Sequence, residues 1–204
     1  MNTYNINTAI IGGTGLYQLN GFEEVDRMKL MTQWGAPSSE IIIMQAGNEH
    51  IAFLARHGLQ HDIPPHKVNY RANLWALKEC GVKRIIAVAA VGGISEKMSP
   101  ETLVIPDQII DYTYARKHTY FETEYEKVVH IDFTEPYNQS LRQKLLGAAQ
   151  IQSIDIIDGG VYAATQGPRL ETAAEIQKLK RDGADIVGMT GMPEASLARE
   201  IELE

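Results

Sequence analysis

The sequence predicts a single α/β domain spanning residues 1–204, with a central mixed sheet flanked by helices. Apolar runs of strand length alternate with segments of helical period, the order expected of a sheet covered by helices rather than a bundle or a sandwich. Residues 84–91 form a nearly unbroken apolar run that ends in Gly92-Gly93, the pattern of a central strand buried on both faces. A chain of 204 residues supports one core of this kind and leaves little room for a second.

The first strand is read at Ala9-Ile10-Ile11, ending in Gly12-Gly13-Thr14-Gly15. Ile41-Ile42-Ile43-Met44 and Ile51-Ala52-Phe53-Leu54 follow across Gly47-Asn48 and read as a hairpin. Between 69 and 80, Tyr70, Leu74 and Leu77 fall at i, i+4 and i+7, and Gly81 stands where a helix C-cap belongs. Short strands at 103–105 and 108–110 flank Pro106, and a helix over 140–150 carries Leu141, Leu145 and Ala148. Residues 111–136 hold four Tyr, two His and one Arg without a strong period, which predicts a long functional loop. A strand at 160–164, a helix at 171–181 with Ala173, Ile176 and Leu179 inward, and a strand at 185–188 complete the alternation. Pro193 suits the first residue of a final helix.

Composition narrows the function classes. The chain is 44% hydrophobic and 22% charged, without a low-complexity tract, so a packed core is expected and disorder is excluded as the main state. Lys and Arg number 19 against 26 Asp and Glu, a net charge of −7, which lacks the broad positive field of a nonspecific nucleic-acid binder. The densest apolar run, 85–94, is ten residues long and too short to span a bilayer. One cysteine, Cys80, admits no intrachain disulfide, and the amino terminus lacks the basic and apolar regions of a secretory signal, so a cytoplasmic location is expected. Late in a helix, Cys80 reads as packing rather than as a nucleophile.

Several short segments carry groups suited to chemistry. Gly12-Gly13-Thr14-Gly15 after a strand can turn backbone N–H groups and the Thr14 hydroxyl toward an anion, or be a plain tight turn; it has neither the Gly-Lys-Ser/Thr ending of a triphosphate loop nor the dinucleotide spacing. Arg56 and His57 follow a strand, where α/β proteins hold ligands, and pair a planar fork of donors with a titrating ring; a surface salt bridge is the bland alternative. His57, His61 and His66, with Asp62, raise a metal site, but Gly58 and Pro64-Pro65 break the helix that would align them, and no metal is expected. Glu171, at a strand-to-helix junction, either accepts from a purine N1–H or caps its helix. Thr190 can bind an anion, while Met189 either packs on a sugar or belongs to the core.

Taken together, GGTGL at 12–16, ARHG at 55–58, HKVNYRANLWALK at 66–78, AAVGGI at 89–94, QGPRLET at 166–172 and GMTGMPEA at 188–195 resemble the trimeric purine nucleoside phosphorylase family. Within it the likeness is to the methylthioadenosine/methylthioinosine phosphorylase branch, and it covers nearly the whole chain. The resemblance implies reversible phosphorolysis of a purine nucleoside through a transition state with oxocarbenium character, with inorganic phosphate as cosubstrate and no cofactor. It implies a phosphate site of Thr14, Arg56, His57 and Thr190 with the backbone around Ala89 and Ala90. On the nucleoside side it implies Met189 under the ribose, with Val91, Gly92, Leu170 and Glu171 lining the base site. His130 matches a position that reaches from a neighbouring subunit, so a homotrimer is implied.

Three departures from the family pattern matter. Ala89 replaces a threonine that gives the methylthioadenosine enzymes a phosphate contact, so that contact is lost or passes to water. Leu170 replaces an aromatic residue that covers the base in the 6-oxopurine enzymes, whereas Glu171 is kept. An ionised Glu171 accepts from hypoxanthine N1–H but would face adenine N1 with a second acceptor, so methylthioinosine is expected over methylthioadenosine. The family also continues past the equivalent of Leu203 with a strand, a loop bearing the Asn or Asp beside purine N7, and a helix. The leaving-group contact is therefore expected to lie beyond Glu204. The rival expectations are a methylthioadenosine phosphorylase, a general purine nucleoside phosphorylase, a nucleosidase using water, and a nucleoside-binding protein without turnover.

Overall fold

The computed structural model describes residues 4–13, 21–122 and 128–204. Thr14 and Gly15 of the glycine-rich turn lie outside the described residues.

In chain order the first half comprises β1 (Ile6–Gly12), β2 (Glu23–Met28), β3 (Ile41–Ala46), β4 (Glu49–Ala55), α1 (Tyr70–Glu79) and β5 (Arg84–Ala87). The second half comprises β6 (Gly92–Gly93), β7 (Leu103–Ile105), β8 (Gln108–Asp111), α2 (Gln139–Ile151), β9 (Ile156–Asp158), β10 (Val161–Ala164), α3 (Ala173–Arg181), β11 (Ile186–Gly188) and α4 (Gly191–Glu200). The α/β class holds. The strands are shared between a mixed five-stranded sheet, β2-β3-β4-β1-β5, a mixed four-stranded sheet, β6-β11-β10-β8, and a parallel pair, β7-β9.

The hairpin at 41–54 forms as expected: β3 and β4 pair antiparallel, and Gly47 at φ +59° supplies the left-handed turn residue. β2 carries no apolar alternation, because Glu23-Glu24-Val25-Asp26-Arg27-Met28 is an edge strand exposed along most of its length. The run at 84–91 is shorter than expected. β5 ends at Ala87 and, among the described residues, has β1 as its one strand neighbour, with Glu204 exchanging hydrogen bonds with Lys83 and Ile85 on its other side. It is partly exposed rather than buried on both faces, and Val88, Ala89, Ala90 and Val91 leave it as a largely exposed segment.

One core joins the inner face of the large sheet to α1 and α4: Ile11, Ile43 and Leu54 meet Leu74, Leu77 and Leu197, all essentially without solvent contact. Burying side chains of this size contributes about 1.5–3 kcal/mol each. The opposite face packs Ile42, Met44, Phe53 and Ala55, so both faces of β3 and β4 are covered. Around the second sheet, Tyr162, Ile186 and Met192 form one cluster, while Leu179 of α3 packs on Ala163 and Val187. In α3 the inward residues are Leu179 and Ile176; Ala173 is exposed because it opens the helix ahead of its packed face. In α2 the buried residues are Ala149 and Arg142, whose guanidinium donates to the Pro106 carbonyl at 3.0 Å, while Ala148 is exposed.

Register places the site. Gly12 lies opposite Ala55 and Ile11 opposite Ala87, so three parallel strands end side by side. Ala164 lies opposite both Gly188 and Asp111, which aligns three more strand ends in the second sheet. Chains leaving carboxyl ends of parallel strands form the usual ligand crevice of an α/β protein.

Candidate active site

The segments leaving those strand ends line a cleft of about 940 Å³. Its walls include Gly13, Arg56, His57, Ala89, Ala90, Val91, Gly92, Leu170, Glu171, Met189 and Thr190, which are the sequence-selected residues other than Thr14 and His130. His130 is exposed and is not among the residues lining its own chain's cleft.

Arg56 is not a surface residue: it is 1% exposed. Its Nε donates to Glu194 Oε2 at 2.8 Å and Nη2 to Glu194 Oε1 at 2.9 Å, while Nη1 donates to the Val88 carbonyl at 2.9 Å. Burial opposes the guanidinium charge, yet the charge and hydrogen bonds of Glu194 outweigh it and hold the pKa above its ordinary value. A guanidinium has five N–H groups, so this arrangement leaves two that can address a ligand. Val88, just past β5, still donates its N–H to the Ile11 carbonyl at 2.8 Å while its own carbonyl accepts from Arg56.

His57 is likewise nearly buried, and its Nδ1 lies 2.8 Å from the Ile63 carbonyl. A carbonyl only accepts, so Nδ1 carries the proton and Nε2 is the nitrogen left for the cleft. Burial, chiefly, pushes the His57 pKa below its ordinary 6.5, against the opposing Ile63 hydrogen bond. His61 lies 4.9 Å away ring to ring, but His57, His61, His66 and Asp62 do not converge, and no group of three metal-ligating side chains occurs among the described residues.

Glu171 does not cap its helix. Thr172 is the N-cap and closes a capping box with Glu175, which leaves the Glu171 carboxylate to accept from the Thr165 hydroxyl at 2.7 Å. The expected helix start at 171 is therefore two residues early. Leu170 is 78% exposed, a rim residue rather than a lid packed on the core. Met189 is half-buried and lines the cleft instead of joining the core, held against Gly167, where a side chain would collide with its sulfur. Thr190 is buried at the entry to α4, and its N–H donates to the Tyr162 hydroxyl at 3.4 Å. Any side chain at Gly188 or Gly191 would strike the Tyr162 ring, so those two glycines let the Met189-Thr190 turn approach it. Regular helical backbone begins only after Pro193, because Met192 and Pro193 interrupt it.

Two buried charges escaped the sequence reading. Glu194, 5% exposed, sits in a segment with no local sign that its carboxylate turns inward; only the fold brings it to Arg56 across 138 residues. Arg116, the arginine of the long loop, donates to the carbonyls of Thr165, Gln166, Met189 and Met192, the Gln166 side chain and the Tyr70 hydroxyl. It thereby ties the exits of β10 and β11 to α1. Cys80 is buried at the end of α1, its thiol 4.0 Å from Met28 Sδ and pushed up to about 11 by burial, as packing requires.

The phosphorylase superfamily matches residues 7–204 of this chain. The chain belongs to the phosphorylase superfamily. A protein of Pseudomonas syringae pv. tomato named as a probable S-methyl-5′-thioinosine phosphorylase is 55% identical over 196 residues, covering 96% of this chain and 80% of that one. The 6-oxopurine nucleoside phosphorylase of Pyrococcus furiosus is 48% identical over 200 residues, covering 96% and 74%. Among solved structures, methylthioadenosine phosphorylase from Schistosoma mansoni in complex with adenine superposes with a TM-score of 0.93 at 35% identity, over 98% of this chain and 75% of that one. The family expectation drawn from the six motifs of this phosphorylase therefore holds.

Proposed function

We propose that this phosphorylase converts S-methyl-5′-thioinosine and phosphate to hypoxanthine and 5-methylthioribose 1-phosphate. One observation carries the reading: a single cleft is lined by a guanidinium fork with two unused N–H groups and by an acidic side chain, Glu171, with Met189 and Thr190 in the same wall. A nucleoside and an anion that must react together need such a shared cleft.

In the reaction a phosphate oxygen bonds to C1′ as the C1′–N9 bond breaks, the bonding pair leaves with the purine, and the proton of monohydrogen phosphate balances the neutral base. Arg56 and Thr190 hold the anion beneath the developing oxocarbenium ion, and Thr14 joins them from the glycine-rich turn. His57 Nε2 accepts from the phosphate O–H when neutral and donates to an oxygen when protonated. Ala89 has no hydroxyl, so phosphate contacts there fall to the backbone around Ala89 and Ala90 or to water. Met189 supports the ribose, Val91, Gly92 and Leu170 border the base, and ionised Glu171 accepts from N1–H of the 6-oxopurine. Phosphate is the cosubstrate in this reading, with no metal or organic cofactor. A cytoplasmic homotrimer, in which His130 extends toward a neighbour's 5′ substituent, completes it.

The test is substrate choice. Glu171→Ala should lower kcat/KM for methylthioinosine at least about tenfold more than for methylthioadenosine, since only the former loses a donor–acceptor pair. Equal losses on both would contradict the base assignment.

A further inference from the structure

Glu171 reaches the cleft with one oxygen already engaged. Thr165, the first residue past β10, donates its hydroxyl to Glu171 Oε1 at 2.7 Å, whereas its other acceptor, the Gly188 carbonyl, lies at 3.3 Å. A hydroxyl has one proton, and the shorter contact to a charged acceptor is the stronger. Glu171 Oε2 has no hydrogen-bond partner among the described residues. Thr165 is itself fixed: its N–H donates to the Gly188 carbonyl at 2.8 Å and its carbonyl accepts from Arg116 at 3.3 Å, so the hydroxyl cannot drift from the carboxylate without moving the strand exit.

Purines differ in how many donors they offer on the edge that a carboxylate reads. A hypoxanthine-type base offers N1–H alone, while a guanine-type base offers N1–H and an adjacent 2-amino group, a pair matched to both oxygens of a free carboxylate. We propose that Thr165 is a specificity-determining residue: its hydrogen bond fixes Oε1 of Glu171 and weakens it as an acceptor for a second donor, so a single-donor 6-oxopurine, which needs only Oε2, is favoured over a two-donor one. This rests on the reading of Glu171 as the base acceptor and adds a second level of choice to it. Glu171 rejects 6-aminopurines, and Thr165 grades the 6-oxopurines.

The experiment compares affinities for free hypoxanthine and free guanine, by calorimetry in the presence of phosphate, for the wild-type chain, Thr165→Val and Thr165→Ser. Wild type should favour hypoxanthine. Thr165→Val, which removes the donor at similar volume, should shift the ratio toward guanine by up to about tenfold, the order expected for one net hydrogen bond. Thr165→Ser keeps the donor and should keep the wild-type ratio. An unshifted ratio in Thr165→Val, or an equal shift in Thr165→Ser, overturns the proposal. If Thr165→Val does not fold, Thr165→Ala replaces it with the same expected direction. Base binding requires no turnover, so failure of the underlying reaction is seen separately, as absence of phosphate-dependent purine release by wild type.

Discussion

At the scale of single residues, the Arg56–Glu194 pair sets the terms. Two charges withdrawn from water are tolerated because each satisfies the other in bidentate geometry, and removing either partner leaves a bare buried charge. Arg56→Ala is therefore expected to destabilise the fold by about 3–5 kcal/mol, visible in a urea titration. Arg56→Met with Glu194→Met, an apolar pair of similar volume, should recover most of that stability while the KM for phosphate stays strongly raised and nucleoside affinity is largely kept. Recovery of both would show that Arg56 serves the fold alone. His57 gives a pH prediction. Its folded pKa lies below the ordinary 6.5, so below that pH the unfolded chain takes up a proton first. Stability from this group is intact above about 6.5 and is lost as pH falls through the lower folded value, with Arg56 and His61 adding to the depression. His57→Gln should flatten that part of a pH–stability curve. Arg56 and His57 were legible in the sequence as strand-end donors, but their partners were not. Glu194 and Ile63 become neighbours only through folding, and no local pattern marks a carboxylate that will be buried.

At the scale of elements, α3 shows how a cap decides a function. Thr172 and Glu175 satisfy the helix N-terminus reciprocally, and Arg169 holds Glu175 from outside, with its pKa lowered to about 2 mainly by that side-chain contact. Glu171 is thus released from helix duty and available to the cleft. Thr172→Ala should lower stability by about 1 kcal/mol, measurable as a drop in Tm, with smaller effects on phosphate binding than on base affinity. The helix itself was legible from its 3.6-residue period, and the Thr172-Ala-Ala-Glu175 pattern of a capping box was the signal that sets its start after Thr172 rather than at Glu171. The strand at 84–91 misled for another reason. Its composition is that of a buried strand, yet after Ala87 the small apolar residues serve to let the backbone line a cleft. β2 was invisible because an edge strand needs no apolar alternation.

At the scale of the whole molecule, two sheets end their parallel strands at one crevice, and α4 joins them: Thr190 and Met189 enter the cleft just before it, Glu194 on it grips Arg56 from the first sheet, and Leu197 packs on α1. This explains why six motifs scattered over the chain read as one family although each alone is weak. What sequence order does not reveal is that Arg116 ties the exits of β10 and β11 to α1, which depends mostly on carbonyls that any residue carries. Arg116→Lys, lacking the planar fork, should raise the nucleoside KM more than the phosphate KM and lower Tm. The most direct test of the central claim is purine release from S-methyl-5′-thioinosine, S-methyl-5′-thioadenosine and inosine, each with and without phosphate. The account predicts phosphate-dependent release, chiefly of hypoxanthine from the first. Release that is independent of phosphate, or that favours adenine, would contradict it.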